Sequence, residues 1–190
     1  MSSSIEDPAC AVAHGDTSAA QEPSADAVAH GAPAPKSTDR VLVAIFASPV
    51  AGYLLRYARD AGYRTVLAEP DPERAKALLD VVDEVQETVT DQADSPADVV
   101  ATDHHRTELG PMLRDALASN ARWIGVMGNP RHPGPHIAAL TELGVAPGEI
   151  ARVQRPVGLN IGSRTPPEIA LSTLAGLIAN RNERPGGFSF

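Results

Sequence analysis

Asp103, His104 and His105 place a carboxylate before two imidazoles. A His beside an Asp can act as acid or base near neutrality, with the carboxylate fixing the ring tautomer, or can join a metal site. Adjacent side chains point apart, so one of the two rings is expected to face solvent or to cap the following helix. A second group comprises Gly158, Gly162, Ser163, Arg164 and Thr165. It joins permissive backbone, hydroxyls, a guanidinium and a helix N-terminus, which suits a phosphate. The alternative is a turn followed by a well-capped helix. Glu69 ends an apolar run about twenty residues past the first turn, the place from which a carboxylate accepts hydrogen bonds from a ribose. Its competing role is to cap the helix starting near Asp71. Ser48 closes the first turn, across a crevice from His104 or His105, and Gly128 with Arg131 follows a later strand.

Other chemistry finds little material. No GxSxG elbow is present, and the single Cys10 excludes an internal disulfide or a site built from several thiolates. His132 and His136 are separated by Pro133, Gly134 and Pro135, so no helix presents them at zinc-binding spacing and Arg131 is the better ligand contact there. The repeat AVAHG at 11 to 15 and 27 to 31 brings Cys10, His14 and His30 into one low-complexity stretch, which reads as a small duplication and not as a metal site.

These residues depend on a regular alternation of elements. VLVAIFA at 41 to 47 is a continuous apolar run, as a strand buried on both faces requires. Ser48 and Pro49 then form a cap and a first-turn proline for a helix that stops at Gly62. Strands are expected at 64 to 69, 81 to 86, 98 to 102, 121 to 128 and 150 to 154. Helices are expected at 71 to 79, from about Arg106 to Ser119 with a break or late start at Gly110 and Pro111, near His136 to Leu143, and from Pro166 to about Asn180. Thr165 and Glu168 have capping-box spacing at the last of these. The alternation predicts an α/β fold: a Rossmann-like, doubly wound parallel sheet with helices on both faces.

The chain has 190 residues, a net charge of -8 and a pI near 5.2. Residues 1 to 39 carry one Lys against six Asp and Glu, with no Leu and no aromatic side chain. They read as a disordered acidic Ala/Ser/Pro-rich tail, leaving 40 to 190 as a single domain. Within that domain, residues 106 to 190 carry nine basic against six acidic groups, and Arg131, Arg152, Arg155 and Arg164 lie in or beside loops. Net acidity argues against general nucleic-acid binding. No apolar run approaches the roughly 18 residues of a membrane span and no signal peptide is evident, so a cytoplasmic protein is expected.

VLVAIFASPVAGYLLRYARDAGYRTVLAEPDPER, DVVATDHH, RWIGVMGNPR and above all PVGLNIGSRTPPEIALSTLAGLIA resemble the carboxy-terminal Rossmann half of the XdhC/CoxI family, accessory factors of molybdenum hydroxylases such as xanthine dehydrogenase. The resemblance spans roughly residues 40 to 182. It implies binding of molybdenum cofactor and its delivery to a partner enzyme, or cooperation with a companion accessory chain. It favours a functional role for Asp103 and His105 and an anion site at Gly162, Ser163, Arg164 and Thr165; Ser48, Glu69, Gly128 and Arg131 complete the candidate ligand set by their places after the strands. Two departures stand out. The family's GAGHVA turn is replaced by Phe46, Ala47, Ser48, Pro49, Val50 and Ala51, which loses both cradle glycines and one N–H donor. The family's amino-terminal domain is replaced by the tail.

Maturation of a molybdenum hydroxylase is therefore the leading expectation. An NAD-dependent oxidoreductase and a ligand-free regulatory module are the alternatives, and a stand-alone enzyme is not expected. Apolar surface where a second half-domain would pack points to a homodimer.

Overall fold

In the computed structural model, the structure describes residues 29–30, 40–92, 96–128 and 131–187. Most of the expected tail, with Cys10 and His14, lies outside them, as do Asn129 and Pro130. The unit Ser37–Phe190 holds the whole sheet.

Six strands alternate with helices: β1 Val41–Ile45, α1 Pro49–Asp60, β2 Arg64–Ala68, α2 Pro72–Ala75 with a 3₁₀ turn Lys76–Leu78, β3 Glu84–Gln86, β4 Ala97–Ala101, α3 Leu109–Ala118, β5 Trp123–Val126, α4 Pro135–Glu142, α5 Pro147–Ile150, β6 Val153–Gln154 and α6 Pro166–Arg181. All pairings are parallel and the spatial order is β3-β2-β1-β4-β5-β6. The expected doubly wound α/β sheet is what the chain forms. β1 and β4 are buried at every position, because helices cover both faces of the sheet. Val41, Val43, Ile45 and Val99 pack towards α3 and α4, and Leu42, Ala44 and Val100 towards α1 and α6.

Local signals placed most boundaries. Ser48 Oγ accepts the Ala51 N–H at 3.0 Å with Pro49 at the first helical position, and Gly62 stops α1 at φ 80°. Thr165 and Glu168 form the capping box of α6. α3 takes the late start, at Leu109, so Arg106 belongs to the preceding turn. The strands expected at 81 to 86 and 121 to 128 shorten to Glu84–Gln86 and Trp123–Val126, and two further expectations change. Strand 150 to 154 shrinks to Val153–Gln154, because Pro147 starts one helical turn that runs to Ile150. The element at 71 to 79 is α-helical only over Pro72–Ala75 and tightens to 3₁₀ after that.

Candidate functional site

A cleft of about 900 Å³ opens at the carboxyl ends of the strands, next to the β1/β4 switch point. Val50 of α1 and the residues after β4 form one wall. The loop from Pro156 to Arg164, lying over α6, forms the other. Thr102 pins the floor: its Oγ1 accepts the Ser48 hydroxyl at 2.9 Å and lies 2.9 Å from the Phe46 carbonyl. Sequence reasoning missed Thr102, although it stands one residue past β4 where inward-facing side chains meet a ligand crevice.

The loop wall is held by close backbone contact. Gly158 has φ 85°, and a Cβ there would lie 2.9 Å from the Ser172 carbonyl and the Thr173 amide of α6. A Cβ on Gly176 would lie 2.9 Å from the Gly158 Cα. The Leu159 N–H completes the contact by donating to the Ser172 carbonyl at 3.0 Å. Two glycines thus let a loop lie directly on a helix.

The residues nominated from sequence divide into two sets. His104, Gly128, Arg131, Gly162, Ser163 and Arg164 line the cleft. Ser48, Glu69, Asp103, His105 and Thr165 do other work. Ser48 caps α1 and bonds Thr102. The Asp103 carboxylate accepts the His105 N–H at 3.0 Å instead of orienting an imidazole, while the His105 ring is exposed. Glu69, with its side chain fully buried, accepts the Asp71 N–H at 3.0 Å and the Ala47 N–H at 2.8 Å, while the helix cap itself is Asp71, which accepts the Glu73 N–H. Its third partner is Arg106, at 3.2 Å, which sequence reasoning passed over.

The start of α6 offers no open amide for an anion. Pro166 and Pro167 have no N–H, and the Glu168 N–H goes to the Thr165 side chain. The Glu168 carboxylate accepts the Arg164 and Thr165 N–H groups, which hold it below the usual carboxylate range. The helix end is thus occupied by the chain's own carboxylate, and guanidinium groups must supply any attraction for an anion. Arg131 and Arg164 line the cleft, and no Asp or Glu does so among the described residues. The Arg155 guanidinium lies behind Gly128, where a Cβ would come within 2.8 Å of its Nε, and it donates to the His132 carbonyl at 2.7 Å. Burial lowers the His104 pKa, helped by His105 and Arg155.

His136, at the start of α4, is 5% exposed and its Nδ1 has no hydrogen-bond partner. Burial, then the Arg155 charge, lowers its pKa. The unfolded chain binds a proton near the ordinary histidine value of about 6.5 and the folded chain only at lower pH. Stability is therefore complete above that value and falls as the pH drops through it towards the folded pKa. Melting temperatures at pH 7.5 and 5.0 should show this loss, and His136→Leu should flatten the slope. An unchanged slope would assign the loss to other groups.

The turn between β1 and α1 is equally committed. Phe46 holds φ 74°, a left-handed conformation that costs a residue with a Cβ about 1–2 kcal/mol, and its side chain is fully buried. The Phe46 N–H donates to the Ala68 carbonyl, Ala47 to Glu69 and Ala51 to Ser48. Residue 49 is a proline. Among the described residues, no three His, Cys, Asp or Glu side chains gather as a metal site, and no helix is long and apolar enough to cross a membrane.

A six-stranded parallel sheet in this order, with a cleft outside the strand ends at the switch point, defines a Rossmann-type domain. Residues 42–177 match the XdhC Rossmann domain, and the chain belongs to that family. Over 90 residues it is 38% identical to the uncharacterized protein YqeB of Escherichia coli K12, a match covering 47% of this chain and 16% of YqeB. The crystal structure of a xanthine dehydrogenase from Bacillus halodurans superposes with a TM-score of 0.62 at 24% identity, covering 76% of this chain and 45% of that one. The chain thus spans less than half the length of either relative, and the second likeness is one of fold.

Proposed function

We propose that this chain serves as an accessory protein for a molybdenum hydroxylase, and that its cleft holds a phosphate-bearing ligand, molybdenum cofactor, for transfer to the partner enzyme or to a companion accessory chain. The observation carrying this reading is the charge of the cleft. In a chain of net -8, the lining holds Arg131, Arg164 and His104 without a carboxylate among its described residues. Membership of the XdhC family supports the accessory role. The donor set suits the cofactor's terminal phosphate, since guanidinium forks bind phosphate oxygens in pairs. Asn160 and Ser163 add amide and hydroxyl groups for a heterocycle's edge. The cofactor is cargo in this reading. The chain binds and orients it.

Arg164→Ala tests the site. The side chain is exposed and no carboxylate pairs with its guanidinium among the described residues, so ligand-free unfolding should be unchanged. Affinity for a phosphate-bearing probe such as nicotinamide mononucleotide, measured by calorimetry, should weaken by about 1.5–3 kcal/mol, the worth of a hydrogen bond between charged groups. Lost stability with unchanged affinity would overturn the anion cleft.

A further inference from the structure

Glu69, Ala47 and Arg106 follow β2, β1 and β4, which are neighbours in the sheet. The Glu69 carboxylate ties all three strand ends together. It accepts the Ala47 N–H at 2.8 Å and both Arg106 Nη groups, at 3.2 and 3.4 Å. The guanidinium carbon of Arg106 stands 4.7 Å from the centre of the Phe46 ring, a stacked cation on an aromatic face. Glu108 accepts from the same guanidinium at 2.9 Å. The Arg106 side chain is 10% exposed and that of Glu69 is wholly buried.

In an open sheet of this order, a dinucleotide crosses the switch point. Its pyrophosphate meets the turn after the first strand and its first ribose meets the acidic residue after the second. Here two groups of that half are engaged by the protein itself. The acidic residue faces inward onto an arginine, and the amide of Ala47 is spent on the same carboxylate. The cleft described above is lined mainly by residues that follow β4, β5 and β6, with Val50 of α1 at its border. Resting on the anion cleft proposed above, we infer that the Glu69–Arg106 bridge over Phe46 is a specificity device: it shuts the adenosine half of the site and restricts the ligand to one heterocycle with one phosphate, rejecting dinucleotides. Phe46 belongs to the device because its left-handed backbone reproduces the path that a glycine allows, while its ring supports the arginine.

Nicotinamide mononucleotide and NAD are the paired probes, since they share one half and differ in the other. Calorimetry on the full chain should give the mononucleotide at least tenfold tighter binding than NAD. In Phe46→Gly/Arg106→Ala the NAD affinity should rise at least tenfold, while that of the mononucleotide changes less than threefold. If that double variant melts early, Arg106→Ala alone retains both backbone hydrogen bonds of Glu69 and should show a smaller gain in the same direction. NAD binding the parent chain as tightly as the mononucleotide would overturn the inference, and so would folded variants that gain no NAD affinity. Arg164→Ala lies in the other half of the crevice, so failure of the anion cleft and failure of the seal appear in different variants.

Discussion

Asp98→Ala is expected to destabilise the protein by about 3–5 kcal/mol, the cost of breaking a buried ion pair by removing one partner. The Asp98 side chain is fully buried in β4. It accepts from Arg122 Nε at 2.8 Å and from Arg181 Nη2 at 3.1 Å, joining the start of β5 and the end of α6 to the centre of the sheet. Arg122 reaches onward to the Asn180 side chain at 2.8 Å. Both arginines keep some solvent contact, with side chains 29% and 19% exposed, which places the loss towards the lower end of the range. A fall of roughly 6–12 °C in melting temperature is the readout for a domain of this size. Asp98→Asn preserves the shape and removes only the charge. It also gives a second readout through Tyr63, whose phenol pKa is raised first by burial and then by Asp98. In Asp98→Asn the phenol should ionise at lower pH than in the parent. A melting temperature within 2 °C of the parent for Asp98→Ala would refute the structural role.

Gly158→Val is expected to damage stability and the cleft together. At φ 85° a branched residue is strained by about 1–2 kcal/mol, and its Cβ would meet the α6 backbone at 2.9 Å. The atoms it would meet belong to the backbone, so the loop and helix must separate, an overpacking cost of about 1–3 kcal/mol. The two effects together predict a loss of about 2–5 kcal/mol. Separation also breaks the Leu159 N–H bond to Ser172 and displaces the wall that carries Asn160, Ser163 and Arg164. Affinity for nicotinamide mononucleotide should therefore fall even under conditions in which the variant is fully folded. Gly162→Ala is the control. Gly162 shares a positive φ of 70° but has open space around a Cβ, so only the strain should register. Equal losses in Gly158→Ala and Gly162→Ala would refute the close-packing explanation.

The elements of this protein were legible because their signals are local. The apolar run of β1, the Ser48–Pro49 start of α1, the Gly62 stop and the Thr165–Glu168 box each act within a few residues of the structure they specify. The helical turn Pro147–Ile150 was missed because four residues leave no periodicity to detect. One long-range signal was present and went unread: an aspartate inside the buried strand ADVVA demands a cationic partner, whatever its position in the chain.

From sequence alone, the α/β order, the parallel sheet, the family resemblance and the glycine-bearing loop beside α6 were determined, since each is written in contiguous residues. Only the tertiary structure decided the fate of individual side chains. It turned His104 into the cleft and left His105 outside, gave Glu69 to Ala47, Asp71 and Arg106, and let Glu168 fill the helix end that an anion was expected to occupy. Asp98 meets partners 24 and 83 residues away, and Glu69 meets one 37 residues away. Such pairings follow from which strand ends become neighbours, here β2, β1 and β4, and from what burial then requires of each charge.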